Sequence, residues 1–446
     1  MKIHQRTPTT RKAVSSTLKT VSCLAAACVL LTGTPVLAET AVFGQSDTIL
    51  RMGQSTSDNN LYPLYEYLRI SAVSTEKNGG ATSLHVGGWG RVDLADKTRD
   101  DYTDGDLQYG FISHQGAKNN LVINGGRQFI NEGVAAAQRL DGLYVRSDFA
   151  AGFGAAVYVG SPVVTEPLRN DPNLKADDFV FGGRVTHSIN KYYTIGVSAL
   201  RSFDSKGVVY REEEGFDVWA YPIKQVDITG RSAYNSVTEG WMEHAYAVSY
   251  SPMDSLRLGA DYSYIGYRDY FYRVTTSALS YLAGNLDQNE EVNAFGAKVS
   301  YTTPIKNLSV SADYRHYNYE IARTAHYFGG NAAYELPDSF VAGVSLHRMD
   351  GKTDLLNFLE FRAFASTKIA QLNLALDFIN LNYDERMRGI RNVYTISGVA
   401  SYEINEKLRV GGYIDYSKNP DFDNEVKGLI KLTYTFDTQR AEGRSK

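Results

Sequence analysis

The segment Trp241–Tyr267 contains two runs of about ten residues whose side chains alternate strictly in polarity, joined by the tight turn Ser251–Ser255. Alternation with period two indicates β-strands with one apolar and one polar face. The apolar faces carry Met242, His244, Tyr246, Val248 and Tyr250, then Leu256, Leu258, Ala260, Tyr262 and Tyr264. A tilted strand of about ten residues crosses a bilayer, and aromatic rings at its ends favour the lipid–water boundary. The segment therefore predicts a membrane-crossing β-hairpin.

The same unit recurs along the chain as about nine hairpins, with single strands at Val42–Met52 and Val426–Phe436, which predicts about 20 strands (roughly 18 to 22). Turns within hairpins are short, and connections between hairpins are longer and polar. The long connections are Pro162–Asp178, Asp204–Gly240, Arg268–Glu291, Met349–Asn357 and Asp384–Arg391. Outer-membrane barrels have this alternation, with periplasmic turns and extracellular loops, whereas a soluble β-sandwich gives no reason for it. We predict an all-β, up-and-down antiparallel transmembrane barrel in the outer membrane, with both termini on the periplasmic side.

Composition agrees with strands rather than helices in the membrane. The mean hydropathy of −0.31 is too low for a bundle of membrane helices, but every second residue of a large barrel strand faces a wet lumen. After residue 38 no run of 18 apolar residues occurs, which argues against helical spans.

Residues 1–38 are typical of a signal peptide. A basic start precedes the apolar run Val21–Leu31, and a small-residue cleavage site places the cut between Ala38 and Glu39. We expect residues 39–64 to hold the first strand and loop, 65–436 the rest of the barrel, and 437–446 a periplasmic tail.

Cleavage would remove both cysteines, Cys23 and Cys28. The mature chain would then have no disulfide, no thiolate metal site and no covalently attached haem. Loss of the five basic residues of the signal changes the net charge from −4 to −9, so the basic surface of a nucleic-acid-binding protein is absent.

No residue pattern predicts catalysis or a metal or cofactor site. The seven histidines of the mature chain show no metal-ligand spacing, and the Gly-x-Ser-x-Gly motif is missing. These histidines are His85, His114, His187, His244, His316, His326 and His347. We therefore predict that the protein is not an enzyme.

Charged residues on the polar faces of strands are the candidate functional groups, because charges around a pore set its ion preference. Alternatively, they pair between neighbouring strands and keep the interior wet. Their mixed signs argue against strong ion selectivity. The candidate pore-lining residues are Arg69, Arg91, Arg146, Arg184, Glu243, Arg257, Asp261, Lys298, Asp313, Arg315, Glu360, Arg362, Asp377, Arg409 and Asp415.

Three segments leave alternatives open. Asp204–Gly240 either folds into the barrel as a constriction or pairs as an additional hairpin. Tyr264–Tyr272 fits the outer aromatic girdle, or else a row of rings that binds sugars. In Leu121–Phe129 neither face is apolar throughout.

The run Gly125–Phe129, with Gly133 and Leu140–Gly142, resembles large outer-membrane β-barrel channels. Some of these are the porin component of porin–cytochrome conduits in metal-respiring bacteria. The resemblance implies a barrel that sheathes a multihaem c-type cytochrome, with haem supplied only by periplasmic and extracellular partners. The last strand resembles the C-terminal recognition strand of outer-membrane proteins, although ten residues follow its final aromatic residue, Phe436.

The sequence thus predicts a porin-like channel that passes ions or small polar solutes by diffusion, as a monomer or homo-oligomer in outer-membrane lipid. The alternative is the electron-transfer sheath. About 16 to 18 strands already enclose an aqueous channel, so about 20 enclose a wide one unless it is plugged.

Overall fold

The computed structural model describes residues 40–438, apart from positions 55–58, 77–78, 99–100, 119, 164–177, 190–191, 272–288, 338 and 421–423. Long antiparallel strands dominate the chain. In order they are β1 (Thr40–Gln54), β2 (Asn60–Leu61), β3 (Pro63–Thr75), β4 (Ala81–Asp93), β5 (Thr103–Gln115), β6 (Leu121–Glu132), β7 (Ala135–Asp148), β8 (Phe153–Pro162), β9 (Phe179–Ile189), β10 (Tyr193–Phe203), β11 (Val209–Ile223), β12 (Val226–Asn235), β13 (Gly240–Met253), β14 (Leu256–Gly266), β15 (Glu291–Thr302), β16 (Leu308–Tyr319), β17 (Arg323–Leu336), β18 (Phe340–Gly351), β19 (Phe358–Ile369), β20 (Leu372–Met387), β21 (Ile390–Asn405), β22 (Leu408–Lys418) and β23 (Glu425–Asp437). The predicted signal peptide, its cleavage site and the tail after Thr438 lie outside the described residues.

The strands close into one barrel because β1 is hydrogen-bonded on both sides. Leu50 of β1 lies opposite Leu64 of β3 and opposite Ile430 of β23. The two-residue strand β2 pairs only with the end of β1 and is not one of the wall strands, which leaves a barrel of 22 strands. Closure removes the free edges that an open sheet would expose. The predicted antiparallel barrel is confirmed, with two more strands than the expected number of about 20.

The two additional strands come from Asp204–Gly240. This segment forms the wall strands β11 and β12, which pair with β10 and β13. Of the two alternatives for it, the additional hairpin is right and the infolded constriction is wrong. The outward Phe216 lies between the inward Gly215 and Asp217, as barrel alternation requires. In the sequence the acidic run Glu212–Glu214 hides this alternation.

The barrel has two unlike rims. At the terminal rim, which carries Thr40 and Asp437, the connections between strands have two to five residues. At the opposite rim, the loop rim, the longest connections are 94–102, 163–178 and 267–290. The difference between the rims has the sense expected for periplasmic turns and extracellular loops.

One predicted long loop is wrong. Within Asp384–Arg391, β20 and β21 continue into a two-residue turn, so the hairpin extends as strand. Arg388 and Gly389 in this turn have φ values of 46° and 87°. Turns with two positive φ angles match the twist of the flanking strands, which explains why pairing continues to the tip.

The aromatic segment Tyr264–Tyr272 divides at the loop rim. Tyr264 lies on the outer face beside His244, with ring centroids 5.4 Å apart. Tyr267–Tyr270 forms the single-turn helix α1, where Phe271 packs edge-on against the rings of both Tyr267 and Tyr270. Burial raises the pKa of both tyrosines. These rings pack on each other instead of forming an open row, and Tyr272 lies outside the described residues. In the described part of the chain, no helix has the length and apolar composition needed to cross a membrane.

The outer face of the barrel is apolar. Ile414 and Leu376 are outward residues in the middle of their strands and are 60% and 65% exposed. Aromatic pairs lie near both rims, Tyr434 with Phe436 at the terminal rim and Tyr394 with Tyr416 towards the loop rim. An exposed apolar band between aromatic girdles is the surface that a bilayer covers. The chain is therefore a multi-pass β-barrel of the outer membrane.

Replacing Leu376 with arginine tests this assignment. We expect Leu376→Arg to lower the free energy of unfolding from lipid vesicles by about 2–4 kcal/mol, because the charge would face hydrocarbon. Ala375→Arg is the matched control, since Ala375 is the preceding residue and faces the lumen. Urea titration in vesicles measures both variants. Equal losses would contradict the assignment of the two faces.

Candidate constriction of the channel

One hairpin leaves the barrel wall. β6 pairs with β5 only as far as Arg127, which lies opposite Gly110, and β7 pairs with β8 only from Leu140 onward. Between these points β6 and β7 pair with each other and not with the neighbouring wall strands. We refer to residues 128–139 as the inner hairpin.

The inner hairpin lies inside the barrel. Ile130, at the start of the hairpin, and Leu140, just after it, are almost fully buried in a cluster with three wall residues, Tyr158, Val180 and Leu200. These three belong to the lumen faces of β8, β9 and β10. Burial of an apolar side chain of this size contributes about 1.5–3 kcal/mol. An apolar core inside the lumen therefore fixes the hairpin against the wall.

The tip of the inner hairpin touches the wall at the middle of its height. The backbone N–H of Val134 donates a hydrogen bond to Ser198 Oγ (3.1 Å), and Ser198 is the central residue of β10. Gly133 has a φ of +57°, and a Cβ there would overlap Ser198. On β11, a Cβ at Gly215 would overlap the side chain of Val134. The close contact thus requires glycine on both sides.

Charged groups around the tip are paired. Glu132 accepts a hydrogen bond from Tyr144 (2.7 Å) and lies 3.5 Å from Arg184 of β9. Arg184 also donates to Asp217 of β11 (3.1 Å). Arg211 donates to Gln138 of the hairpin at 2.6 Å. The pairing compensates for desolvation of charges beneath the hairpin.

A second ionic network holds the base of the hairpin. Arg139 donates to Asp106 of β5 at 2.6 Å, and the side chain of Arg139 is 5% exposed. Arg127 makes two hydrogen bonds of 2.8 Å to Asp141 and lies 3.7 Å from Asp106. At the bend Gly126 has a φ of +126°, a conformation that favours glycine.

The free face of the inner hairpin narrows the lumen. Gln128, Ile130 and Glu132 are buried, whereas the alternate residues Phe129 and Asn131 are exposed. Because the buried set faces the wall, the exposed set points away from the wall on the lumen side. The hairpin therefore narrows the lumen at about half the height of the barrel, and Phe129 and Asn131 lie on its free side.

Register places the predicted pore-lining residues on the lumen side of the strands, and most of them contact a polar neighbour. Contacts between strands are Arg69–Asp47, Arg231–Glu243, Arg315–Asp261, His347–Asp313, Tyr327–Glu360, Arg362–Asp377 and Arg409–Glu403. Arg257 donates to Ser249, Lys298 lies opposite Asp313, Arg146 lies 3.7 Å from Asp148, and Asp415 accepts from Tyr413. Of the candidates, Arg184 alone contacts the inner hairpin among the described contacts.

Arg91 does not line the pore. Its side chain is 2% exposed, because Thr98 and Asp101 of the following connection contact it. It donates to Thr98 and to the carbonyl oxygen of Asp101 (3.0 Å) and lies 3.8 Å from Asp93. The prediction is wrong for this residue, because alternation gives the direction of a side chain but not what covers it.

Sequence reasoning missed the residues that position the inner hairpin. These are Asp106, Arg127, Glu132, Arg139, Asp141, Arg211, Glu213 and Asp217. The failed alternation of Leu121–Phe129 was the available signal, because this segment ends where β6 leaves the wall after Arg127. Gly125–Gly126 and Gly133 mark its bend and tip.

Comparisons with known proteins give similarity of fold. The barrel is similar to a mutant of the ferric enterobactin receptor PfeA from Pseudomonas aeruginosa, with a TM-score of 0.53 and 10% identity over 89% of this chain and 80% of that chain. OccAB4 of Acinetobacter baumannii is also similar, with a TM-score of 0.46 and 8% identity over 91% of this chain and 100% of that chain. OccK8 (OprE) of P. aeruginosa has a TM-score of 0.44 and 10% identity over 91% of this chain and 100% of that chain. No protein-family model and no curated protein sequence matches the chain. At such low identity, the likeness to the receptor shows the fold alone.

Proposed function

We propose that the protein is a porin-like channel through which ions or small polar solutes diffuse across the outer membrane. The inner hairpin is the observation that carries this proposal. It is fixed by an apolar core, by ionic contacts at its base and tip, and by glycines at its bend and tip. A wall of 22 strands encloses a wide lumen, and a rigid narrowing within it sets a size limit without closing the barrel.

The mechanism is passive. Solutes enter at the loop rim, pass Phe129 and Asn131 at the constriction, and leave at the terminal rim, which we assign to the periplasm. Because most lumen charges are paired with charges of opposite sign, the fields along the path largely cancel. We therefore propose weak ion selectivity and no catalytic step.

Reconstitution into planar bilayers tests the channel. The purified protein without any partner is expected to give stepwise currents that rise linearly with voltage, with a permeability ratio for K⁺ over Cl⁻ near one. Protein that inserts, resists proteolysis and carries no current would disprove the proposal.

Charge at the constriction should tune selectivity. We expect Asn131→Asp to favour cations and Asn131→Arg to favour anions, each by about threefold in the permeability ratio, because a charge at the narrowest point acts on every ion. Ser300→Arg is the control, since Ser300 of β15 faces the lumen away from the inner hairpin. Reversal potentials in a KCl gradient give the ratios. An equal shift from the control would show that the hairpin is not the narrowest point.

A sheath for a multihaem cytochrome is the second proposal that the sequence suggested. The inner hairpin occupies lumen space that such a cytochrome would need, so this observation favours the channel. Haem absorbance in protein purified from native outer membranes discriminates between the two. Stoichiometric haem, together with electron transfer into liposomes only when cytochromes are present, would support the sheath.

A further inference from the structure

A row of aromatic side chains runs down the lumen face of three wall strands. On β3 and β5, the rings lie opposite successive inward positions of β4. The outward residues of β4, such as Leu84 and Val86, alternate with these positions and face lipid. We refer to the row as the aromatic track, formed by Tyr65, Tyr67, His85, Trp89, Tyr109 and Phe111.

The rings of the aromatic track form two groups of three contacting rings. Towards the loop rim, the ring centroid of Tyr65 lies 6.0 Å from that of Tyr67, with planes 21° apart, and 5.9 Å from that of Trp89. Further down, Phe111 lies 6.1 Å from Tyr109 and 5.0 Å from His85.

Gly87 lies between the two groups of rings along β4. It lies between His85 and Trp89 on β4, and the ring of Tyr109 rests on its backbone where a Cβ would overlap it. The track spans inward positions 85 to 91 of β4, a length of about 20 Å at the rise of a strand. All six side chains are partly exposed to the lumen.

Hydrogen-bonding groups flank the track on both sides. On the side of β1, the guanidinium of Arg51 lies 5.2 Å from the ring centre of Tyr65. Arg69 pairs with Asp47 at 2.7 Å and keeps 49% of its side chain exposed. On the side of the inner hairpin, Asp106 of β5 lies opposite Trp89 and bonds Arg139. A solute on the rings would thus have charged donors and acceptors within reach.

We infer that the aromatic track binds pyranose oligosaccharides as they pass through the channel, an inference that rests on the proposed function. A pyranose ring has an apolar face of C–H groups, which packs on the electron-rich face of an aromatic ring. Its rim of hydroxyl groups accepts hydrogen bonds from guanidinium groups and donates them to carboxylates. The track offers both kinds of contact over about 20 Å, so it can contact an oligosaccharide at several of its units. A simple inorganic ion would interact only with the charged groups that flank the track, and a purely apolar solute only with its rings.

Sugar block of the ion current tests the inference. In planar bilayers with KCl, maltohexaose is expected to interrupt the native current at millimolar concentration. Trp89→Ala should raise the half-blocking concentration about tenfold through loss of a stacking surface, whereas Trp89→Phe should retain most of the block. Tyr317→Ala, which removes a lumen-facing ring on β16 outside the track, should leave it unchanged.

Polyethylene glycol of the same hydrodynamic size serves as the probe without ring faces, and its block should be weak and equal in all variants. A third probe, 4-hydroxybenzoate, is a small aromatic anion without a pyranose ring. The inference is overturned if maltohexaose blocks the current no better than polyethylene glycol, or if maltohexaose blocks Trp89→Ala as well as the native protein. It is also overturned if 4-hydroxybenzoate blocks the current and maltohexaose does not. Each of these outcomes requires a KCl current and so leaves the channel proposal standing. Absence of the KCl current itself would refute the channel instead.

Discussion

Removal of the inner hairpin is expected to raise the single-channel conductance about two- to threefold. In this variant an Asn-Gly turn replaces residues 130–138, so it joins Phe129 to Arg139, which lie opposite each other in the native hairpin. The larger current follows from geometry, because the hairpin lies against β8 to β11 at half the height of the barrel and obstructs the lumen there. An Asn-Gly turn suits a two-residue connection between paired strands.

The matched control shortens a hairpin at the same rim that does not enter the lumen. Residues 383–391 at the tip of β20 and β21 are replaced by the same Asn-Gly turn, which joins Asn382 to its partner Asn392. The conductance should stay within a few per cent of the native value. Exclusion of polyethylene glycols of graded size supplies a second measurement, with a larger cut-off expected only for the first variant. An unchanged cut-off after removal of the inner hairpin would place the narrowest point elsewhere.

Loss of the ion pair at the base of the inner hairpin is expected to cost about 3 kcal/mol of stability. In Arg139→Ala the carboxylate of Asp106, which is 17% exposed, loses its 2.6 Å partner. Arg127 remains 3.7 Å away and compensates only in part. We also expect rapid fluctuations of the open-channel current, because the base of the hairpin is no longer fixed to β5.

A double-mutant cycle separates the pair from other effects of the substitution. Asp106→Asn combined with Arg139→Ala should be more stable than Arg139→Ala alone, because the unpaired charge is gone. Arg409→Ala breaks an exposed pair with Glu403, whose side chains are 58% and 42% exposed, and should cost less than about 1 kcal/mol. Urea unfolding in lipid vesicles measures all of these variants. Similar losses for Arg139→Ala and Arg409→Ala would contradict a buried anchor.

The wall of the barrel was predictable because every strand must present one face to lipid and the other to water. Side chains such as Val248 and Tyr262 face lipid, while their neighbours Ala247 and Asp261 face water. The alternation of apolar and polar residues is therefore visible between adjacent positions of the sequence. The prediction failed at β11, where Glu212 and Glu214 face outward near the loop rim. Outward charges are tolerated close to a rim, and the local rule is weaker there.

The constriction was not predictable in the same way. The cluster of Ile130 and Leu140 with Val180 and Leu200 joins residues up to 70 positions apart, and nothing in the local pattern of either segment requires the other. The same holds for Arg139, whose partner Asp106 lies 33 positions away. The sequence marked this hairpin only by a failure of alternation.

By itself the sequence determined the closed antiparallel wall, its place in the outer membrane and the side of the wall on which most charges lie, since period-two alternation acts between adjacent residues. Only the tertiary structure decided that 22 strands close the ring, that Arg91 is covered, and that β6 and β7 turn inward. Those features depend on contacts between residues that are far apart in the sequence, and such contacts produce no periodic pattern of residue types along the chain.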